Sequence, residues 1–591
     1  MHLSRLELKN FRGARSLSVD FHSGVNILIG ENRTCKTAIL DALRLCLGFS
    51  LERREIFIQP EDFYCDQNGI QSEEIAFDLL FEGVIPEQQG LFVELLAIDQ
   101  NQKPVVQLHV RFTRDGDRIR RRVWGGEHDG QEIPSIVFEL LYFTHLGALR
   151  DASRDLSPSR SNRLSQLFLK LVSDPEMRKA LANEVNTQVA GVKAWNDLID
   201  SGVKKIQGHL SEIVLKGDDS RVSVGFVDST FREIAEGLRM RIPRGNKSSS
   251  ASGNAPTKPV VEPNKEAATT THLSIPQNSM GYNNLLYVAT VLGDLTERFK
   301  NSTHSYAALL IEEPEAHLHP QWQNTLFRYL QGMKDNGIQV FITSHSPTIT
   351  AKSDIDSLIV LKTNGDAISA TPMRHLSLGD PEKKHLQRFL DVTKSQLFFA
   401  RGVVLVEGIS EALLLPRFAM KVGQDYNLDS NGVEVVNIDG VAFEPFAQLF
   451  NSVDVNARLP VRCAIITDDD RNEHGQPSGR AENALALRGG KLEVFLAAVT
   501  FEHELYMKNE DLVLKVYQRL HPQTDLAFKG EDSNRAQQFV DKLKSNKDKA
   551  VFAQELAAEL QVDEAFKAFV VPGYIQNAIR WVVTGNASKT D

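Results

Sequence analysis

At 591 residues the chain is too long for a single hydrophobic core, so several domains are expected. Its 42% hydrophobic and 24% charged residues are those of a soluble protein, and no apolar run approaches the roughly eighteen residues of a membrane span. The net charge of −10 excludes a uniformly basic, nucleic-acid-coating surface but leaves local basic fields open.

The four cysteines (Cys35, Cys46, Cys65, Cys463) form no C-x-x-C pair, so neither a zinc ribbon nor a disulfide framework is expected. Met1-His2-Leu3-Ser4-Arg5 lacks the shape of a signal peptide. A reducing cytoplasm, away from membranes, is the expected location.

Leu3–Leu8 and Val25–Ile29 read as short strands and Ala38–Leu47 as a helix. Between the second strand and the helix stands Gly30-Glu31-Asn32-Arg33-Thr34-Cys35-Lys36-Thr37, the layout of a phosphate-binding P-loop. Loop amides, those of Gly30 and Asn32 among them, together with the helix N-terminus would cradle the phosphates of ATP. Lys36 would reach the β- and γ-phosphates, and the Thr37 hydroxyl would ligate Mg²⁺. Cys35 stands where the motif has its second glycine; a Cβ there is expected to crowd the loop or disfavour a needed backbone conformation.

Arg111, Arg114, Arg118, Arg120, Arg121 and Arg122 crowd one segment, and Arg150, Arg154, Arg160 and Arg163 follow. Such runs are either a phosphate footprint or a solvated strand face and loop. A helical stretch follows over about 164–215, then a segment at 244–271 poor in apolar residues and rich in Ser, Thr, Pro, Lys and Asn, which reads as a linker.

Ala307 to Ile311 is an apolar strand ending in Glu312-Glu313-Pro314-Glu315, the Walker B layout: Glu312 to hold Mg²⁺ and Glu313 to orient or activate the attacking water. Gln339 to Ser344 is a further strand, ending at His345, which is suited to sense a γ-phosphate. His317 and His319, without further ligands, read as packing and capping groups.

Asn10-Phe11-Arg12-Gly13, the P-loop, Ser279-Met280-Gly281-Tyr282, Ile311–Pro320 and His345 together resemble the ABC-type ATPases of the RecF and SMC group. The resemblance implies a head-to-head homodimer, or a higher homo-oligomer, with ATP in the interface. Ser279 and Gly281 would then reach the γ-phosphate held by the other subunit, and the helical stretch would be an insertion.

Further on, Val403-Val404-Leu405-Val406 runs into Glu407-Gly408, and Ala464-Ile465-Ile466-Thr467 into Asp468-Asp469-Asp470. Apolar runs that end abruptly in acids are how buried parallel strands deliver carboxylates to a sheet rim. Glu407, Asp468 and Asp470 side by side would repel unless a hard cation sat among them, and all-oxygen ligation suits Mg²⁺ or Mn²⁺. A Glu after one strand and an Asp-x-Asp after another resembles the Toprim domain.

An ATPase of this kind followed by a Toprim domain resembles the overcoming-lysogenisation-defect (OLD) family of nucleases, as do Val406–Glu411 and Tyr574-Ile575-Gln576. That resemblance implies further roles. Glu411, one helical turn past Glu407, shares its metal. Glu502 supplies a second ligand set, with Glu504 a competing assignment. Lys549 stabilises charge on the phosphate, although Lys542, Lys544, Lys547 and Lys549 also read as a solvated helix face. Two metals about 3.5–4 Å apart would clamp the attacking water and the leaving oxygen of a phosphodiester.

The expected fold class is α/β: an ABC-type ATPase with an inserted helical segment, followed by a Toprim domain with a parallel sheet. The expected divisions are 1–163 and 272–392 for the ATPase, 164–243 for a helical dimerisation insert, 244–271 for the linker and 393–591 for the Toprim domain. The expected function is an ATP-regulated, metal-dependent DNA endonuclease in defence against phage or foreign DNA, with a partner helicase or effector left open. The rival is an ATP-dependent DNA sensor whose Toprim domain does not cut. A topoisomerase or primase is disfavoured, because no tyrosine-bearing winged helix and no zinc-binding cysteine set is present.

Overall fold

The computed structural model describes residues 1–50, 56–116, 118–127, 129–130, 132–148, 156, 162–172, 174–213, 223–224, 226–243, 272–300, 305–316, 318–365, 367–390, 394–440, 442–469, 478–524 and 526–586. Arg150, Arg154, Arg160, His317, Asp470 and the linker at 244–271 lie outside the described residues. The chain divides into two compact units: Met1–His145 with Tyr306–Glu315 and Pro320–Asp591, and Leu146–Ser305 with Ala316–His319.

The first unit opens on an antiparallel sheet. Its strands are β1 (His2–Phe11), β2 (Ala14–Asp20), β4 (Glu74–Glu82), β5 (Leu96–Ile98), β6 (Pro104–Asp115) and β7 (Arg118–Gly125), in the order β2-β1-β4-β6-β5 with β7 on β6. Alternation sets its faces: Leu6 and Leu8 point into the core while Arg5, Glu7 and Lys9 point away. β3 (Val25–Gly30), buried along its whole length, belongs instead to the central sheet and leads through the loop into α1 (Lys36–Leu47).

The central sheet also holds β8 (Leu141–Leu146), β9 (Tyr306–Glu312), β10 (Gln339–Ser344), β11 (Leu358–Asn364) and β12 (Ala367–Pro372), in the order β12-β11-β3-β10-β9-β8. β3, β9, β10 and β11 run parallel. Residues 30, 313 and 345 therefore emerge together at one carboxyl edge. Apolar runs that were contiguous in sequence are the strands buried on both faces, as expected for the middle of a parallel sheet.

The C-terminal part holds β13 (Gly402–Val406), α2 (Ile409–Val422), β14 (Val433–Asn437), β15 (Arg462–Asp468), β16 (Leu492–Ala497), α3 (Phe501–Leu520), α4 (Lys549–Glu559) and α5 (Gly573–Thr584). The sheet order is β14-β13-β15-β16, parallel throughout. Val406 pairs with Ile466, so Glu407 and Thr467 leave the sheet at the same level. Val404, Val406, Ala464 and Ile466 pack with Leu414, Leu415 and Phe418 of α2 and with Ile575, Ala578 and Ile579 of α5. Each such large side chain contributes about 1.5–3 kcal/mol on burial, which is ample to fix α2 and hence Glu411.

The second unit is helical over Arg163–Leu171, Pro175–Ala190, Lys193–Ile213, Phe231–Glu236 and Met280–Lys300. Asn162 and Asp174 cap the first two helices by accepting from Ser165 N and Glu176 N, with Pro175 opening the second. Residues 272–305 group with this unit rather than with the ATPase sheet, because helix 280–300 packs on helix 163–171 and Asp294 pairs with Lys170. Among the described residues no helix is long and apolar enough to cross a membrane.

Candidate functional site

The P-loop turns sharply out of β3. Gly30 lies at φ +150°, and a Cβ there would collide with the Leu361 carbonyl oxygen on the neighbouring strand. Cys35 adopts φ 63°, ψ 20°, the left-handed conformation in which a glycine costs nothing and a side chain is strained. The sequence-based concern about Cys35 is thus one of backbone geometry.

Lys36 is buried, and its ammonium donates to the Gly30 carbonyl at 2.8 Å and the Glu31 carbonyl at 2.7 Å. Burial pulls its pKa down to about 8, against the pull of Glu313 and Glu31. A cation spent on backbone carbonyls is one that phosphate oxygens can recruit. Asn32 and Thr37 are exposed on the loop and the first turn of α1.

Glu313 follows β9 at φ 44°, and its carboxylate stands 3.3 Å from His345 Nε2. Burial, then the neighbouring Glu315, pushes the Glu313 carboxyl up to about 8, while Lys36 opposes the rise. Burial and the charge of Lys36 lower the His345 imidazole. Glu315 accepts from the Ser344 hydroxyl at 2.7 Å and the His345 amide at 2.9 Å, clamping the end of β10 to the turn after β9. Glu312 lies 2.9 Å from His145 Nε2.

The structure therefore gathers Lys36, Glu312, Glu313 and His345 at one edge. It also adds two residues that the sequence reading missed. Glu315 sat within the acidic run, whereas His145 arrives from β8 with no local signal at all.

Glu31 makes a further connection. Its carboxylate pairs with Arg401 at 2.9 Å and lies 3.8 Å from Lys362. Lys362 is 2% exposed, and its ammonium donates to the Ala400 carbonyl at 2.5 Å. The P-loop is thereby joined to the residues that immediately precede β13, whose far end carries Glu407.

At that far end the acids assemble. Glu407 accepts from the Thr467 hydroxyl and from the Asp468 amide at 3.2 Å. Asp468 accepts from the Phe501 amide at 2.9 Å, which ties β15 to the first turn of α3. Glu502, 4% exposed, pairs with Lys549 at 2.9 Å. Burial, then Glu502 and Glu407, raises the Glu411 carboxyl to about 7. Burial works to lower Lys549, but Glu502, Asp468 and Glu411 together hold it above the ordinary lysine value.

Glu407, Glu411, Asp468, Glu502 and Lys549 are thus brought together from four separate segments. Glu502 rather than Glu504 makes the ion pair to Lys549. Among the described residues no three His, Cys, Asp or Glu side chains stand together in an arrangement that could already hold a metal ion; hydrogen bonds to protein hold the acids in place. The oxygen-only donors and their excess negative charge, offset locally by Lys549, fit a hard divalent cation.

The arginine run is another matter. Arg111 pairs with Asp78 at 2.7 Å, Arg120 with Asp115 at 2.5 Å and Arg122 with Asp129 at 2.6 Å. Arg114 donates to Gln71 at 2.6 Å, and Arg121 lies over the Phe49 ring at 4.6 Å. Acids interleaved across and beside the β6–β7 hairpin pair with Arg111, Arg120 and Arg122, which favours the solvated strand face over a phosphate footprint. In the helical unit Ser279 is exposed beside the start of helix 280–300, with Gly281 half-buried in its first turn.

A P-loop sheet continued into a parallel sheet with an acidic rim defines a P-loop ATPase joined to a Toprim-type domain. The AAA ATPase domain model matches residues 1–111 and 149–350, more than half of the chain. The model of the overcoming lysogenization defect protein-like TOPRIM domain matches residues 398–470. The chain belongs to the OLD family.

It is 21% identical to the Old nuclease of Escherichia phage P2 over 87% of each chain. It is also 24% identical to the endonuclease GajA of Bacillus cereus (strain HuB5-5), over 53% of this chain and 54% of that one, so it spans about half of that relative's length. The C-terminal region of the Burkholderia pseudomallei OLD protein is a structural neighbour at 23% identity, covering 32% of this chain and 98% of that one, with a TM-score of 0.24.

Proposed function

We propose that this chain is a DNA endonuclease, dependent on Mg²⁺ or Mn²⁺ and regulated by ATP, acting in defence against phage or foreign DNA. The observation that carries the proposal is the gathering of Glu407, Glu411, Asp468 and Glu502 with Lys549 at the carboxyl edge of a parallel sheet. The names of the relatives, an Old nuclease and an endonuclease, agree with it.

Glu407, Glu411, Asp468 and Glu502, with Asp470 from the sequence, are the residues that would hold one or two cations. Such ions make bound water more acidic and offset charge on a phosphodiester. Lys549 places a positive charge beside them, where the non-bridging oxygens of the phosphate gain charge. Nearly all of this contribution is positioning and electrostatics, which suits residues locked by backbone amides and a neighbouring hydroxyl.

In the ATPase half, Lys36 would exchange the Gly30 and Glu31 carbonyls for phosphate oxygens, Glu313 would orient water, and His345 would meet the γ-phosphate. Support for coupling comes from Glu31: its carbonyl is one that Lys36 would release, and its carboxylate grips Arg401 at the root of the strand that ends in Glu407. Nucleotide can shift the nuclease only through such a differential contact.

A homodimer is the assembly that the helical unit favours. Met177, Leu181, Val185 and Val189 recur at four-residue spacing on one helix and are exposed, as are Trp195 and Leu198 on the next. An apolar stripe of that length marks an interaction surface. Ser279 is likewise exposed, as a residue offered to a partner's nucleotide must be.

The test is conversion of supercoiled plasmid in Mg²⁺ or Mn²⁺, with and without ATP, by the wild type, Glu407→Ala and Asp468→Ala. The wild type should nick or linearise the plasmid, and each variant should lose at least about 100-fold while still binding ATP. Equal cleavage by all three, or none by any, would overturn the nuclease and leave the non-cutting DNA sensor.

A further inference from the structure

α5 begins beside the acidic rim, and its second residue is Tyr574. The ring packs against the C-terminal core, and the hydroxyl is buried without any hydrogen-bond partner. Burying a phenolic O–H unpaired is costly, so a native site normally supplies it with an acceptor.

Acceptors are close. Burial first, and then the nearby charges of Asp468, Glu411, Glu504 and Glu502, push the ionisation of Tyr574 well up. A phenol is in any case a neutral O–H donor at neutral pH. Yet it bonds to none of them: Asp468 is held by the Phe501 amide and Glu502 by Lys549. A buried hydroxyl among anions that makes no direct hydrogen bond to any of them leaves its proton free for a bridging group.

We propose that Tyr574 is a positioning residue of the acidic site, its hydroxyl donating a hydrogen bond to a water in the coordination shell of the divalent cation that these carboxylates take. The inference rests on the reading of the rim as a metal site. The water would give its own protons to the carboxylates and accept from Tyr574. Hydrogen-bonding partners of this outer kind commonly matter almost as much as the ligands themselves. Tyr574 thus differs in kind from Lys549, which supplies charge, and from the acids, which supply ligation.

The experiment uses the full chain, free of nucleotide and DNA, titrated with Mn²⁺ in a calorimeter and followed by thermal unfolding with and without Mn²⁺. Wild type, Tyr574→Phe and Glu407→Gln are compared. Phenylalanine keeps the packed ring and removes only the unpaired hydroxyl, so metal-free Tyr574→Phe should melt at or above the wild-type temperature. Its Mn²⁺ affinity should fall by about 10–100-fold, and its Mn²⁺-induced rise in Tm should shrink accordingly.

A purely structural hydroxyl would move the metal-free Tm and leave the Mn²⁺ response alone. Tyr574→Phe binding Mn²⁺ within about twofold of wild type, while Glu407→Gln loses binding, would overturn the Tyr574 assignment and leave the metal site standing. Glu407→Gln binding Mn²⁺ as the wild type does would overturn the metal site, and the role of Tyr574 with it.

Discussion

The phosphate loop and the acidic rim solve opposite electrostatic problems at the carboxyl edges of two parallel sheets. The loop is made for an anion from a few consecutive residues: backbone amides, a helix N-terminus and one lysine that waits on its own carbonyls. On the proposed reading the rim takes a cation with side chains from four distant segments, like charges near one another and, among the described residues, Lys549 beside them. Local backbone can build an anion site, because every residue brings an N–H donor. The carboxylates of this rim come instead from segments far apart in the chain, so their grouping draws on the tertiary structure.

The largest effects are expected at the residues proposed to do chemistry. Glu313→Gln should lower ATP hydrolysis by about 10²–10⁴-fold, as removal of a general base does, while nucleotide binding and nucleotide-free plasmid cleavage persist. If steady-state hydrolysis survives, Glu313 is not that base, and the assignment of the loop's edge fails.

Lys549→Ala tests the cation that pairs with Glu502 at the rim. Cleavage should fall by about 10–100-fold, and Lys549→Arg should recover part of it. Because Glu502 is left buried and unpaired, stability should also drop, by about 1–3 kcal/mol; this is less than for a fully buried pair, since Lys549 keeps 39% side-chain exposure. Urea unfolding measures it, and an unchanged midpoint would place Glu502 in water.

The two sites meet at Glu31 and Arg401. Arg401 is 70% exposed at its side chain, so their ion pair is worth at most about 1 kcal/mol. Arg401→Glu should therefore change the ratio of cleavage with ATP to cleavage without it by about two- to fivefold, and Glu31→Arg in the same chain should restore it. A ratio indifferent to both substitutions would mean that the sites communicate elsewhere.

The smallest effect belongs to Cys35→Gly. It relieves a left-handed side chain worth about 1 kcal/mol but frees the unfolded loop by a similar amount, so Tm should barely move. ATP affinity should tighten by no more than about fivefold, measured by calorimetry. A weaker-binding variant would show that the thiol itself supports the loop.

How legible each region was in the sequence follows the same contrast. The P-loop could be read directly, because its function needs eight consecutive residues and the φ of Gly30 and Cys35. Strands β3, β9, β13 and β15 were legible too, since apolar runs that stop at acids have few other uses. Glu407 and Asp468 came with them. Glu411, Glu502 and Lys549 were reached only through family resemblance, since an acid or lysine on a helix is ordinarily just solvated. His145, Thr467 and the pairing of Glu31 with Arg401 carried no signal at all.

Local residue order already holds the alternation that forms the sheets, the turn that offers a phosphate cradle and the strand ends that carry acids. Only the tertiary structure decided which of the many charged residues are paired away, as in the arginine hairpin, and which are concentrated, as at the rim. Hydrophobic burial is written in periodicity and acts on every residue it covers. Electrostatic function depends on distances of a few ångströms between residues hundreds of positions apart, and those distances exist only once the chain has folded.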